Sequence, residues 1–371
     1  MKKYILIIFL FLSLIGNTKE VTRSSRFLSY PSDIIIGSVP VWLFNNFSAI
    51  TNTEIPLIVG DSVTMYGDAL LNVPIINNLS VDYICDIGVE VGNNLCIKPI
   101  LNDIGPHTCI IKYYNNGYKY LTDTTILTVY NKSSIDTIKL LLIGNSLLAG
   151  GISYDYTYIK SIIDSVNIKF IGSTGTINKY CEAWPGKSYI WMVNDTASPF
   201  VNALGDVDLH AYFTDNEIDT PDFIMIRLGV NDVKSLIPTQ MLTTEQLYNI
   251  EISCKTLIDS FLAFNNDIKI LIGVPTSCDN TAYGWDAGYV STLDQDSYIQ
   301  GINQLRKVLI DIFANGNYND RVDCSYEAYF LNRETGYSRT DGIHPTPLGY
   351  TQLAISMGIE LNKKLAPVII E

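Results

Sequence analysis

Histidine is scarce in this chain, with three residues in 371: His107, His210 and His344. The seven cysteines (Cys85, Cys96, Cys109, Cys181, Cys254, Cys278 and Cys324) show no C-x-x-C spacing. Nothing in either residue type has the clustering of a metal site, and no cofactor is expected. Positive charge is also short. Lys and Arg number 25 against 38 Asp and Glu, a net charge of −13, and no basic cluster follows Lys2 and Lys3. A nucleic-acid partner is excluded, because neutralising phosphates needs a basic face. Internal repeats and low-complexity tracts are missing. So is a run long enough for a comfortable membrane span: Tyr4–Ile15 is apolar, but small or polar residues follow from Gly16. Two lysines, a short apolar run and a polar exit form the layout of a secretory signal peptide over residues 1–18, with an uncleaved anchor as the alternative. The expected location is therefore secreted, periplasmic or at the cell surface. No cysteine follows the run to carry a lipid anchor.

What is present suits a folded protein. Hydrophobic residues make up 47% and charged residues 17%, and the length allows two domains with cores of their own. Export permits disulfides, and the odd cysteine count leaves at least one thiol unpaired within the chain. Cys85, Cys96 and Cys109 are close in sequence, so one pair can form among them. The other cysteines read as small buried apolar groups.

Residues 31–130 read as all-β. Runs rich in Val, Ile, Thr and Tyr recur at 41–44, 54–59, 63–66, 81–85, 109–114 and 124–130. Asn115-Asn116-Gly117 is a hairpin signal. Strands at this spacing predict a small Ig-like sandwich, an accessory domain read as a spacer or lid. His107 falls here as an ordinary surface or capping residue. A polar linker is expected over 131–136. From 137 to 371 the pattern alternates strand and helix. Apolar strands are expected at 138–143, 168–171, 223–228, 268–274 and 321–324. Helical periodicity covers 244–264 and 294–313, and a last helix begins with Thr346 as N-cap and Pro347 at its first position. Five strands with intervening helices predict a parallel sheet between two helical layers.

Four strand ends carry polar residues suited to chemistry. Leu140–Gly150 reads as a buried strand, a Gly144-Asn145-Ser146 turn and a helix start. A serine there lies where open α/β sheets place ligands. Asp341-Gly342-Ile343-His344 precedes the last helix. A carboxylate three residues before a histidine can fix its tautomer, and Pro345 holds His344 out of helix. Gly229-Val230-Asn231-Asp232 ends the third strand and can aim an amide at a developing oxyanion. Glu182-Ala183-Trp184-Pro185-Gly186 can present a glycine N–H, with Gly172 and Gly175 as alternatives. His210 sits in a polar insertion beside Asp206 and Asp208. Tyr283, Trp285 and Tyr289, in the loop 275–295, can line a substrate pocket if exposed.

In this order, Gly144-Asn145-Ser146-Leu147, Gly186, Gly229-x-Asn231-Asp232 and Asp341-x-x-His344 resemble the four blocks of the SGNH hydrolase superfamily, the GDSL esterases and lipases. The resemblance covers about residues 137–367. Ala197-Ser198-Pro199-Phe200 and Pro221–Ile226 look like its carbohydrate-esterase-like branch. It implies a flavodoxin-like sheet and metal-free ester hydrolysis. Ser146 would be the nucleophile, His344 the base and Asp341 its orienting acid. The Ser146 N–H, the Gly186 N–H and the Asn231 side chain would form the oxyanion hole. Asn145 departs from the family's usual Asp and should preserve the turn's hydrogen bonding. The expected substrate is a short-chain acyl ester, acetylated polysaccharide foremost. The competing readings are a non-catalytic glycan-binding module on the same scaffold and an acyltransferase with a sugar hydroxyl as acceptor.

Overall fold

The structure, a computed structural model, describes residues 35–36, 39–40, 54–71, 79–115, 117–234, 241–280, 282–288 and 294–365. The expected signal peptide and the run 41–44 lie outside the described residues. The first pair, β1 (Ile35–Ile36) and β2 (Val39–Pro40), is antiparallel. Two sheets follow. One has the order β3-β9-β8-β5, from β3 (Glu54–Ile58), β5 (Leu79–Ile84), β8 (Gly105–Asn115) and β9 (Tyr118–Tyr130). The other has the order β4-β7-β6, from β4 (Val63–Tyr66), β6 (Val89–Val91) and β7 (Asn94–Ile97). All pairings are antiparallel except β3 with β9. Inward residues of both sheets, among them Leu57, Met65, Leu95, Ile111 and Leu127, belong to one core. A short helix, α1 (Gly67–Leu71), follows β4.

The linker is shorter than expected. Only residues 131–133 separate β9 from β10 (Ser134–Gly144), and Ser134 pairs with Asp164 on β11 (Asp164–Ile171). Polar side chains hid this extension, because a strand running past its helices needs no apolar residues there. Ser133 is buried, and its N–H donates to Asn362 Oδ1 at 2.7 Å.

The second unit is a sheet whose parallel core has the order β11-β10-β14-β15-β16, with β14 (Phe223–Arg227), β15 (Lys269–Gly273) and β16 (Val322–Ser325). Numbered along the chain, the order is 2-1-3-4-5, that of flavodoxin-like sheets. Leu140 to Ile143 are fully buried, as a parallel strand covered on both faces must be. A hairpin, β12 (Thr174–Thr176) and β13 (Lys179–Ala183), was not expected. Its β13 joins β10 only at the carboxyl end, Gly144 opposite Ala183. On one face, α2 (Ser146–Ile162) packs against α9 (Pro347–Leu365). The helices α3 (Tyr189–Asn194), α4 (Leu209–Asp215), α6 (Thr244–Phe264) and α8 (Gln295–Phe313) form the other layer, and α5 (Val230–Lys234) packs on α8. In α6 a capping box of Thr243 and Gln246 starts the helix, and Ile250, Cys254, Leu257, Ile258 and Phe261 fill its inner stripe.

The two units share partly buried contacts. Lys363 Nζ lies 3.0 Å from a Glu54 carboxylate oxygen. Tyr158 donates its hydroxyl to Asp61 at 2.6 Å, and Gln352 Nε2 donates to the Tyr66 hydroxyl at 2.9 Å. Asn280 Nδ2 donates to Asp68 Oδ2 at 3.0 Å.

Candidate functional site

Strand β10 is the topological switch point, since the chain continues to β11 on one side and to β14 on the other. Ser146 follows it as the first residue of α2. Asn145 caps that helix: its Oδ1 accepts the Leu147 N–H at 2.9 Å, and its backbone carbonyl accepts from Leu148 and Ala149. The cap hydrogen bond is the one expected when Asn replaces Asp. Its cost is a buried amide nitrogen, Asn145 Nδ2, with no partner among the described residues. The Ser146 N–H is one of the amides that a helix start leaves without an intrahelical acceptor.

The histidine comes from the loop before α9. That loop closes on itself: Ser338 N–H donates to the His344 carbonyl at 2.7 Å, Gly342 N–H to the Ser338 carbonyl at 2.8 Å and Thr346 N–H to the Gly336 carbonyl at 2.8 Å. Gly342 has φ +68, and a Cβ there would meet the Trp285 backbone nitrogen at 2.8 Å. Thr346 then caps α9, its hydroxyl accepting from the Gly349 N–H at 3.2 Å.

Asp341 uses both carboxylate oxygens inside this loop. One accepts the Ile343 and His344 N–H groups, each at 2.9 Å, and the other meets His344 Nδ1 at 2.5 Å. Burial pushes the Asp341 carboxyl up, but these bonds outweigh it and hold the pKa below the usual value. With Nδ1–H given to a carboxylate, Nε2 is the acceptor. It lies 2.8 Å from Ser146 Oγ, so the hydroxyl donates to it. A serine proton can thus pass to an imidazole whose other side already faces a negative charge.

Two loops flank this relay. Strand β13 ends beside Gly144, and Trp184 N–H donates to the Gly144 carbonyl at 2.9 Å. Trp184 to Lys187 form a turn closed by Lys187 N–H to the Trp184 carbonyl at 3.1 Å, with Pro185 second and Gly186 third at φ +80. That is a type II turn, whose third residue takes a left-handed backbone. A Cβ on Gly186 would meet nothing within 4 Å, so the position faces open space. Gly172 and Gly175 instead lie against the β12–β13 backbone, where a Cβ would come within 2.4 Å and 2.3 Å of Cys181 and Lys179. From α5, just after β14, Asn231 Nδ2 donates to the Lys187 carbonyl at 2.9 Å, which leaves its second N–H hydrogen to point elsewhere. Its neighbour Asp232 accepts the Tyr189 N–H at 3.1 Å and the Ile190 N–H at 3.5 Å. Adjacent residues of α5 therefore hold the turn at Lys187 and the start of α3. Burial pushes the Asp232 carboxyl up to about 7 despite those N–H bonds.

The other histidines are elsewhere. His107 is held by Asp86 and the Asp103 carbonyl in the β unit. His210 packs its ring on Phe264 at 4.9 Å. Trp285 does not line an open pocket. It is 2% exposed and packs on Tyr298, with ring centroids 5.2 Å apart, in α7 (Ala282–Gly288). This helix backs the histidine loop: Gly284 lies against Gly342, and Gly288 against Asp341. An apolar ring is better used there as a wedge than in water. The side chain of Tyr283 and the whole of Tyr289 lie outside the described residues.

Two buried networks support these loops, and neither Arg227 nor Glu182 has a role of its own in the sequence motifs. Arg227, the last residue of β14, is buried between Asp155 of α2 and Glu327, in the 3₁₀ turn Glu327–Phe330. It meets Asp155 through two bonds of 2.9 and 3.0 Å and Glu327 through Nε at 2.7 Å. Burial pushes the Glu327 carboxyl up to about 7, against the pull of Arg227. Glu182, fully buried, accepts from Ser173 N–H, Tyr212 hydroxyl and Trp184 Nε1. For Arg227 the available hint was a single charged residue in an apolar strand, since burial demands a partner.

No family model matches the chain, and no curated protein matches it. The chain is similar to solved structures of acetyl and carbohydrate esterases, at low identity. A mutant acetyl esterase with an acetate ion is 15% identical over 62% of this chain and 100% of that one, with a TM-score of 0.40. A carbohydrate esterase family 3 structure from Talaromyces cellulolyticus is 15% identical over 62% and 98%, with a TM-score of 0.41. A family two carbohydrate esterase from Clostridium thermocellum, in complex with cellohexaose, is 15% identical over 82% of this chain and 89% of that one, with a TM-score of 0.38.

Proposed function

We propose that the protein is an exported serine esterase that removes short acyl groups, acetyl foremost, from esterified polysaccharide. The observation that carries this reading is the continuous hydrogen-bonded line from Ser146 Oγ through His344 to Asp341, with 2.8 Å between Ser146 Oγ and His344 Nε2. In the proposed reaction Ser146 Oγ attacks the ester carbonyl as His344 takes its proton. The imidazolium forms against the Asp341 carboxylate. The Ser146 and Gly186 N–H groups and the Asn231 amide face the developing oxyanion. Collapse breaks the bond to the alcohol, which leaves with the proton from His344. Water, deprotonated by the same imidazole, then releases the acid from Ser146. The short-acyl and polysaccharide assignments rest on the branch resemblance together with the export expectation.

The test is labelling with a fluorophosphonate, then turnover of p-nitrophenyl esters from acetyl to long-chain. Labelling at Ser146 with acetyl ester preferred is the expected result. Ser146→Ala should lose labelling and turnover while its circular dichroism is unchanged. Labelling that persists in Ser146→Ala removes the nucleophile, and faster long-chain turnover removes the acyl assignment.

A further inference from the structure

The β unit carries two cysteines, Cys85 and Cys109, whose placement does not depend on the proposed hydrolysis. Strands β5 and β8 are antiparallel, with Val81 opposite Tyr113, Tyr83 opposite Ile111 and Ile84 opposite Ile110. Strand β5 ends at Ile84, and continuing its register by one residue would set Cys85 opposite Cys109. Directly opposed residues of antiparallel strands have Cα atoms about 4.5–5.5 Å apart, within the span that a disulfide bridges. Both side chains are on one face, since opposed residues share a face and alternate with their neighbours. That face is the core side: Val81, Ile111 and Tyr113 on it are buried.

We propose that Cys85 and Cys109 are the site of a cross-strand disulfide, formed by exchange with a small-molecule disulfide such as oxidised glutathione. The two thiols differ in access, for Cys109 is fully buried while Cys85 is partly exposed. They differ in reactivity too. The Cys109 thiol, opposed by burial and helped by the Ile87 N–H and by His107, draws Cys85 down to about 7. Cys85 is therefore the attacking sulfur. Its thiolate attacks one sulfur of the donor, giving a mixed disulfide and releasing one donor thiolate. The donor thiolate released in the first step takes the Cys109 proton, the Cys109 thiolate attacks the Cys85 sulfur, and the second donor thiolate leaves and is protonated by solvent. Two protein thiols are oxidised to one disulfide, and the donor is reduced to two thiols.

The competing thiol is placed differently. Cys96 is on β7, in the other sheet, with its sulfur 3.7 Å from the Thr64 hydroxyl. The ring closed by the bond also has a structural meaning. Strand β5 is an edge strand, and edge strands leave backbone groups open to pairing with other chains. Here residues 85–109 supply the cover. Asn93 Oδ1 accepts the Val81 N–H, Asn93 Nδ2 donates to the Leu79 carbonyl, and Glu90 accepts the Tyr83 N–H. A bond from Cys85 to Cys109 would tie both ends of that cover to the ladder it protects.

The experiment uses the full chain. It is equilibrated in a glutathione buffer rich in the oxidised form, quenched with acid, alkylated under denaturing conditions and digested without reduction. Cleavage after Glu90 and after Lys98 separates Cys85, Cys96 and Cys109 onto different peptides. The expected result is alkylation of five of the seven cysteines, with one linked peptide pair that holds Cys85 and Cys109. Cys96→Ser should leave that pair intact, and Cys85→Ser should abolish it. Seven alkylated cysteines in the wild-type chain, or linkage of Cys96 to either partner, overturns the proposal. The wild-type map decides the matter even if a variant fails to fold.

Discussion

Asp341 accepts three hydrogen bonds and leaves little for its carboxylate to do except face the imidazole. Such a residue holds geometry as well as charge. The local pair was legible in the sequence because three residues and a glycine turn bring the two side chains together with no help from the rest of the fold. Asn231 carries a different expectation. Its amide holds the Lys187 carbonyl with one N–H, so the other is aimed by a fixed group. As a proposed oxyanion donor, Asn231→Ala should lower kcat by about 10²-fold with KM little changed. Steady-state kinetics on acetyl ester check this, and an unchanged kcat would remove Asn231 from the reaction. Trp285 shows where single-residue reading stops. An aromatic ring in a loop is equally suited to a pocket wall and to a wedge, and what decides between them is the packing of Gly342 and Tyr298 around it.

At the scale of elements, Arg227 joins the helix that begins with Ser146 to the β14 strand and to the turn after β16. Three segments distant in sequence meet on one guanidinium. Replacing it by methionine strands two buried carboxylates, and the expected loss is about 3–5 kcal/mol of stability in urea denaturation. Replacing Asp155, Arg227 and Glu327 together by apolar residues should recover most of that loss. A single replacement that costs under about 1 kcal/mol would show the triad to be solvated. The main strands and the long helices were legible because their apolar spacing is strong: α6 runs over the expected 244–264, and α9 starts at Pro347. The β12–β13 hairpin and the start of β10 were not. Their side chains are partly polar, and pairing at one strand end leaves no periodic trace.

Across the whole molecule, several carboxyls titrate out of place, and their signs can be combined. Burial pushes Asp123 up to about 6, Asp232 and Glu327 to about 7 and Glu360 to about 8. Unfolded, these groups would titrate near about 4. Between those limits the folded chain binds more protons than the unfolded one, so stability falls as pH rises from about 4 to 8. Asp341 acts in the opposite sense. Its pKa is held below the usual value, so its contribution is present above about pH 4 and lost as pH falls through the depressed value. The melting temperature should therefore peak in mild acid and be lower at about pH 8.5 than at about pH 5. Differential scanning calorimetry across that range checks it, and a rise towards alkaline pH would contradict it. The net charge of −13 adds repulsion in the same direction.

The hydrogen bond between Ser146 and His344 spans 198 positions of the chain. The serine precedes the histidine by more than half of the chain. Its imidazole partner arrives with the final helix. On the proposed mechanism, reactivity of that serine would be a readout of completed folding rather than of local structure. If Ser146 is the proposed nucleophile, a fluorophosphonate added during refolding would act as a clock on the docking of the last helix.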